Sequence, residues 1–315
     1  MMLRLPWPGP RLVVLAAALT MVCLCALAPA ASAQSGYTST RAMSFGGAWS
    51  GGPSNGALYV NPAGMMLLST YSAELGYHYN GTGNRHGMGV SAIDSSTNPN
   101  IAAGLAYSYT LGPGETDGKD DNARDHDMRF AIAAPVVPNL IFLGVGGHYT
   151  SVRGFETVTR APPIGLPTSP TVTTEATRFN AMTVDIGLMA ALARVVAIGV
   201  SVQNLAQTQN VLEGRRYTGG AALFIGPVHA EAQYSMAQRR DNKEYEGTFS
   251  AGAEVTIARR VPIRVGMTTR NLTDALWITG GLGYRSEYAG FEVGYQQSTE
   301  AASDMAVMAT VSLYR

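Results

Sequence analysis

The histidine and serine residues of this chain do not form a recognisable catalytic set. Neither a Gly-x-Ser-x-Gly elbow nor a His-Glu-x-x-His pair occurs in the sequence. The five histidines lie in separate segments, and only His148, close to Ser151, suggests the base and nucleophile of a lipase. Their spacing and surroundings do not fit such a pair. We therefore predict no catalytic residues, no enzymatic activity and no cofactor.

An acidic stretch between residues 111 and 126 is the strongest candidate for a metal site. It carries Glu115, Asp117, Asp120, Asp121 and Asp125. Calcium loops place their ligands at fixed positions and end in a glutamate, and residues 117–122 have neither feature. We interpret the stretch as a solvated loop and predict no metal site, with divalent cations at a lipopolysaccharide-rich surface as the alternative.

Another set of charged residues lies within segments whose other face is apolar. These residues are Glu74, Asp185, Glu254, Arg264 and Glu292. Side chains alternate between the two faces of a strand, so each of these charges shares its face with small or polar residues. We predict that they line a polar interior and pair with one another or with a segment inside it. A role in substrate passage is the alternative.

The elements that hold these charges are predicted to be strands. Of the 315 residues, 46% are apolar but only 14% are charged, against about 25% charged in an ordinary soluble domain. Basic and acidic side chains number 22 each, so no basic field is available to attract nucleic acid. Period-two alternation recurs about fourteen times and predicts strands. The alternating segments are Tyr71–Tyr79, Met88–Ala92, Ile101–Thr110, Met128–Ile132, Ile141–Val145, Met182–Leu188, Ile198–Val202, Tyr217–Ile225, Val228–Met236, Phe249–Ile257, Ile263–Thr269, Ile278–Tyr284, Phe291–Tyr295 and Met305–Leu313.

The lengths and connections of these segments favour a membrane barrel. Most segments approach the nine to eleven residues that a tilted strand needs to cross a bilayer. Long connections at 111–126, 151–177 and 204–216 alternate with short turns, which is typical of outer-membrane barrels with external loops and periplasmic turns. A soluble β-sandwich is the alternative, but a chain of this size would usually form two domains, and no linker is visible. We predict an all-β fold, a membrane-spanning antiparallel β-barrel of about 14 strands.

The first 33 residues have the features of a cleaved export signal. Arg4 and Arg11 precede an apolar run from Leu12 to Ala28. Ala31-Ser32-Ala33 provides the small residues that a signal-peptide cleavage site requires. Removal would leave 282 residues without cysteine, with 20 basic and 22 acidic side chains and a net charge of −2. We therefore predict residues 1–33 as a signal peptide and residues 69–315 as the barrel.

Residues 34–68 lack alternation and are predicted to form a hatch inside the barrel. Turn-forming residues recur in this segment, as in Asn61-Pro62-Ala63-Gly64. A solvated periplasmic tail, the alternative, would not carry the apolar side chains that we predict to anchor the segment in the lumen. These side chains belong to Phe45, Trp49, Leu58, Tyr59, Met65 and Met66.

This segment resembles a known family. The stretches Arg41–Ala48 and Asn55–Met65 are similar to the amino-terminal signature of FadL-type outer-membrane transport proteins and their PorV/PorQ-type relatives, with further echoes at 200–205, 252–255 and 262–266. The resemblance covers most of the chain after residue 33. It implies a 14-stranded barrel with a lumenal hatch whose Asn-Pro-Ala element matches Asn61, Pro62 and Ala63, with Gly64 following.

The resemblance implies passage of small hydrophobic compounds through the outer membrane of a Gram-negative bacterium. Fatty-acid-like or aromatic molecules would bind and pass when the hatch moves, and outer-membrane lipid would surround the wall. The chain is shorter than typical fatty-acid transporters of the family, so two alternatives stay open. One is a PorV-like, secretion-associated protein that docks secreted partners without transporting a solute. The other is a purely structural barrel.

Overall fold

The structure, a computed structural model, describes most of the chain after residue 38. The described residues are 39–46, 55–67, 69–81, 84–116, 119–160, 171–193, 195–206, 214–238, 245–270, 276–302 and 304–315. The predicted signal peptide at residues 1–33 lies outside this set. So does Trp49 of the predicted hatch.

Fourteen antiparallel strands form a closed barrel, which confirms the predicted fold. Thirteen of the fourteen alternating segments lie wholly within one strand, and the other, Ile101–Thr110, lies within one strand except for Ile101. The strands are β1 (Tyr71–Asn80), β2 (Arg85–Asp94), β3 (Ala102–Thr116), β4 (Lys119–Val137), β5 (Ile141–Arg160), β6 (Thr171–Leu192), β7 (Val196–Gln203), β8 (Arg216–Ile225), β9 (Val228–Gln238), β10 (Tyr245–Ile257), β11 (Val261–Arg270), β12 (Leu276–Arg285), β13 (Ala289–Ser298) and β14 (Met305–Tyr314). Neighbours in sequence pair with each other, and β1 pairs with β14 to close the wall.

Alternation along the strands separates an apolar outer face from an inner face of small and polar residues. On β4, Ile132 is 60% exposed on the outside while its neighbours Ala131 and Ala133 are each 3% exposed on the inside. The outward apolar side chains of β4 extend from Met128 to Val136, about 27 Å along the strand, or ~21 Å once a tilt of about 40° is included. This belt approaches the height of the apolar band of membrane barrels, about 25 Å.

Two of the predicted long loops are wrong, because the strands continue through them. β3 and β4 pair from Ala102–Ala133 up to Thr116–Lys119, so most of the stretch 111–126 is hairpin rather than loop. β5 and β6 pair up to Arg160–Thr171, which replaces most of the predicted loop 151–177. Beyond the bilayer a strand needs no apolar face, so its alternation disappears while its backbone ladder continues. The third predicted loop agrees with the end of β7 at Gln203 and the start of β8 at Arg216.

Short turns connect the strands at the opposite rim. β4 joins β5 through Asn139, β8 joins β9 through Gly226, and β10 joins β11 through Ala258 and Arg259, all with positive φ. Consecutive positive φ angles, 50° at Ala258 and 60° at Arg259, are those of the central residues of a type I′ turn, whose twist matches that of the flanking strands. Such turns leave little chain outside the membrane, as at a periplasmic rim.

Among the described residues before β1, three segments are helical, and all are short. They are α1 (Thr40–Ser44), α2 (Ala57–Val60) and a 3₁₀ turn (Pro62–Met66). Together the described residues 39–46 and 55–67 are called the N-terminal segment below. No helix among the described residues is long and apolar enough to cross a bilayer.

Candidate functional site

The N-terminal segment packs against the inner face of the barrel at two places. α1 contacts β12 and β13, with further contacts to β11 and β14, whereas the 3₁₀ turn contacts β4, β5 and β6. In the closed strand order, six strands separate β5 from β12 in either direction. The two attachment points therefore lie on opposite sides of the lumen.

α1 is held by hydrogen bonds at both of its ends. Its N-cap is Ser39, whose hydroxyl accepts from the Ala42 amide at 3.1 Å, as expected of a helix-capping serine. The hydroxyl of Thr40 is hydrogen-bonded to that of Thr310 on β14. At the other end, the Thr279 hydroxyl of β12 donates to the Ser44 carbonyl at 2.9 Å. Two strands that lie far from α1 in sequence, β12 and β14, thus hold this short helix in place.

Asn61, Pro62, Ala63 and Gly64, the predicted gating residues, form the start of the 3₁₀ turn and are all buried. Asn61 Oδ1 accepts from the Ala63 amide at 3.1 Å, which caps the turn, and proline at the next position needs no donor there. The Asn61 amide also donates to the carbonyls of Leu188 (3.5 Å) and Val200 (3.4 Å). The structure thus places these residues on the wall, while their role in gating stays a prediction.

Two side chains of β7 hold the chain just before this turn. The Ser201 hydroxyl donates to the carbonyl of Val60 at 2.8 Å. The Gln203 amide donates to the carbonyl of Tyr59 at 2.7 Å. Both acceptors are carbonyls at the C-terminal end of α2, which lack partners within so short a helix.

Glycines of the wall let the N-terminal segment approach the strands closely. A Cβ atom at Gly144 would overlap the backbone of Pro62 and Ala63, and one at Gly187 would overlap the Asn61 side chain. On the other side of the barrel, a Cβ at Gly252 would lie 2.7 Å from Phe45 Cα. Each glycine thus provides the space that the docked segment fills.

Three of the predicted interior charges form one ion-pair network. Arg264 of β11 donates to Glu254 at 2.6 Å and to both carboxylate oxygens of Glu292 at 2.8 and 2.9 Å. Arg264 is 1% exposed and both glutamates are 5% exposed. Arg285 adds a further contact to Glu292 at 2.7 Å. The attraction between buried charges at such distances offsets the free-energy cost of removing them from water.

Arg41 of α1 joins the N-terminal segment to this network. Its guanidinium donates to Glu254 at 2.7 Å, lies 3.7 Å from Glu231, and is hydrogen-bonded to His229. Burial lowers the pKa of the Arg41 guanidinium, and the Glu254 carboxylate opposes that shift. The Arg41 guanidinium also stacks 4.9 Å from the centre of the Phe45 ring. One cation thus connects the segment to strands β9 and β10.

The other two predicted charges lie elsewhere on the inner face. Asp185 accepts from the Asn204 amide and lies 3.0 Å from His148 Nδ1. Glu74 accepts from the Asn55 amide of the N-terminal segment at 3.5 Å. The structure therefore brings together Glu254, Arg264 and Glu292 but not these two. A part in substrate passage is untested for all five.

The lipase-like pair considered from the sequence is not assembled. His148 points into the barrel toward Asp185, whereas Ser151 lies on the outward face three positions later. Within the described part of the chain, no cluster of three or more His, Cys, Asp or Glu residues could hold a metal ion.

Sequence reasoning missed the contribution of Arg41, Arg285, His229 and Glu231 to the network. Arg41 had a usable signal, because it is the only charged residue between positions 34 and 73. A lone cation in an apolar, turn-rich segment implies an acidic partner elsewhere. Its partners could not be identified from the sequence, because Glu254 is 213 positions away.

Apolar side chains of the N-terminal segment fill the space between its polar anchors. Leu58, Tyr59 and Met65 are at most 6% exposed. They form one cluster with Ile93, Ala102, Ala106, Ala131, Ala133 and Met308 of the wall, against which Met43 and Met66 also pack. Alanines on the wall leave room for longer side chains from the segment, so the lumen contains an apolar core.

Solved structures share this architecture. The Ralstonia pickettii toluene transporter TbuX is 15% identical, with a TM-score of 0.62 over 89% of this chain and 98% of that one. A Pseudomonas aeruginosa FadL homologue (11% identical, TM-score 0.64) is matched over 90% and 99% of the two chains. The Pseudomonas putida toluene transporter TodX (11% identical, TM-score 0.63) is matched over 90% and 98%. The barrel has the same fold as these three proteins.

Sequence comparison adds nothing to this structural likeness. No family model and no curated protein sequence matches the chain. The likeness is therefore one of fold at low identity.

Proposed function

We propose that this protein is an outer-membrane channel for small hydrophobic compounds in which the N-terminal segment acts as a movable hatch. The main support is the attachment of the segment to opposite sides of a closed wall, at β4–β6 and at β11–β14. A chain attached in this way obstructs the lumen, so passage requires at least one attachment to release.

The contents of the lumen favour an apolar substrate. Met43, Met65 and Met66 pack in or against the apolar cluster of the segment and wall. Methionine side chains are flexible and polarisable and accommodate ligands of differing shape. Two of the structural neighbours are toluene transporters by description and a third is a FadL homologue. We infer that compounds of the same class, aromatic or fatty-acid-like, exchange with these side chains.

Release is expected at the 3₁₀ turn rather than at α1. Arg41 of α1 is engaged in a buried ion-pair network, and breaking such a network is costly. Asn61 is held to the wall by only two hydrogen bonds to strand carbonyls, each contributing about 1 kcal/mol. We infer that Glu254, Arg264 and Glu292 anchor the hatch, while Asn61, Pro62, Ala63 and Gly64 form its moving part.

Uptake measurements test both parts of this proposal. Cells that express the protein should accumulate labelled toluene or oleate faster than cells without the gene. Asn61→Ala removes the two hydrogen bonds to the wall, about 2 kcal/mol, and shifts the docking equilibrium of the turn by about 30-fold, so it should raise uptake or pore conductance. Asn100→Ala, at an exposed asparagine in the turn between β2 and β3, is the matched control and should behave as wild type.

Two results would count against the proposal. Equal uptake with and without the gene would remove the transport function and favour the docking of secreted partners instead. Unchanged uptake and conductance in Asn61→Ala, in a barrel that still inserts, would leave the turn with a structural role only.

A further inference from the structure

A second apolar cluster lies under the 3₁₀ turn, close to the short-turn rim of the barrel. Its buried wall residues come from four adjacent strands, β5–β8, and are Phe142, Met189, Ala197 and Ala222. Each of them is among the four residues of its strand that lie nearest this rim. Ala63 of the turn, 0% exposed, completes the cluster, and Met66 and Leu67 pack against it.

This cluster is continuous with the apolar core of the lumen. Val60 and Met66 of the N-terminal segment pack against both groups of residues. Toward the rim, Phe224 packs against the cluster and is partly exposed, and Leu140 in the β4–β5 turn is 38% exposed. An apolar surface thus extends from the lumen to the short-turn rim along β5–β8.

Beyond β8 the wall is ionic at the same height. Glu254, Arg264 and Glu292 are each the fourth residue from the rim end of their strands, and they belong to the buried ion-pair network. The ring of Phe224 stacks on that of His229, with 4.4 Å between the ring centres, where the apolar and ionic parts of the wall meet. An apolar compound on the ionic side would separate buried charges from their partners, which is costly. The apolar side is therefore the favourable one.

We propose that Phe142, Met189, Ala197 and Ala222 form a second binding site, the rim site, for small compounds with an aromatic ring, and that the docked turn fills this site with its own side chains. The inference rests on the proposed movement of the turn. Undocking withdraws Ala63, Met66 and Leu67 and leaves apolar wall surface that is stabilised when another apolar group covers it.

The composition of the rim site favours an aromatic ligand. Aromatic rings pack edge-to-face or offset against a phenylalanine ring such as that of Phe142, and the thioether of Met189 makes favourable contacts with ring edges. Undocking also frees the wall space at Gly144 and Gly187, where the turn now lies too close for any added Cβ atom. A flat ring fits space that a stretch of backbone has left.

Photolabelling of the purified barrel with 3-trifluoromethyl-3-phenyldiazirine, a small aromatic probe, tests the rim site. Mass spectrometry then identifies the labelled residues. Asn61→Ala raises the undocked population about 30-fold, so labelling of Phe142 and Met189 should rise about 30-fold over wild type, and excess toluene should suppress it. Leu188, an outward neighbour that is 44% exposed, should be labelled equally in both proteins.

Two buried methionines provide a matched pair of variants in the Asn61→Ala background. Met189→Gln places an amide among apolar residues and should lower labelling of Phe142 about tenfold. Met308→Gln makes the same change at a methionine that is equally buried, each being 1% exposed, but that belongs to the other cluster. It should leave labelling of Phe142 within about twofold.

Hydrogen exchange of residues 61–67 in the same proteins separates failure of the rim site from failure of the proposed function. If exchange accelerates in Asn61→Ala but labelling of Phe142 and Met189 does not rise, or if the two Met→Gln variants act alike, the rim site is overturned and the movement of the turn stands. If exchange and labelling both stay at wild-type levels, the turn does not move and both proposals fail.

Heat-dependent gel mobility verifies that each variant is folded. If the Met189→Gln variant does not assemble, competition by toluene in Asn61→Ala decides the question. Labelling of Phe142 that excess toluene does not reduce would overturn the rim site.

Discussion

Replacing Gly144 by alanine should release the 3₁₀ turn from the wall without opening the barrel. The added methyl group would lie 2.5 Å from the carbonyl carbon of Pro62 and 2.9 Å from Ala63 Cα. Both contacts are with backbone, which cannot rotate away as a flexible side chain can. The β4–β5 and β5–β6 ladders run on either side of Gly144 and need no change.

The cost of displacing the turn follows from the contacts that it loses. Asn61 would give up its two hydrogen bonds to Leu188 and Val200, about 2 kcal/mol in total. Met65, 4% exposed when docked, would lose roughly 2 kcal/mol of burial. A local destabilisation of about 3–4 kcal/mol corresponds to a 10²- to 10³-fold increase in the open population.

Hydrogen exchange followed by mass spectrometry measures that population directly. Amides of residues 55–67 should exchange about 10²- to 10³-fold faster in Gly144→Ala than in wild type, while the amides of β4–β6 keep their protection. Gly219→Ala is the matched control, since a methyl group there meets nothing closer than 4.0 Å. If residues 55–67 keep wild-type protection in Gly144→Ala, the close packing of the turn on the wall is refuted.

Two further predictions concern the wall itself. Arg264→Gln leaves two buried glutamates short of a partner and should lower the unfolding free energy by about 3 kcal/mol. Urea titration of protein refolded into vesicles measures this change, and the control Arg260→Gln, at an exposed arginine, should change the unfolding free energy little. Ile132→Arg places a charge in the middle of the apolar belt and should cost about 2–4 kcal/mol, whereas Val136→Arg near its edge should cost at most about 1. Equal costs at these two positions would mean that the belt is not the bilayer-spanning surface.

Strand count and facing were predictable because the period of a strand is two. Because the outer faces of β10 and β11 are apolar, alternation places Glu254 and Arg264 on the inner face. The observed register sets these two residues directly opposite each other. The same reasoning failed at Arg124 and Arg153. These residues lie above the apolar belt, where the outward face is polar as well, so the alternation that identifies a strand is lost.

The docking of the N-terminal segment could not be predicted in detail, because most of its contacts are remote in sequence. Asn61 and Leu188 are separated by 127 positions and Ser44 and Thr279 by 235. Glycines on the inner face let the N-terminal segment approach the wall, and these glycines are visible in the sequence. Other strand glycines, such as Gly219, have no such contact. Only the folded barrel distinguishes the glycines that contact the segment from those that do not.

The two attachments of the N-terminal segment also constrain the order in which the barrel is assembled. Strands β4–β6, which receive the 3₁₀ turn, precede the last eight strands of the barrel in sequence, so this half of the segment can dock on a partly formed sheet. α1 needs Thr279 of β12 and Thr310 of β14, which are among the last strands of the barrel to be synthesised. The helix therefore cannot complete its contacts until the final strand is in place, and its docking marks the completion of the wall.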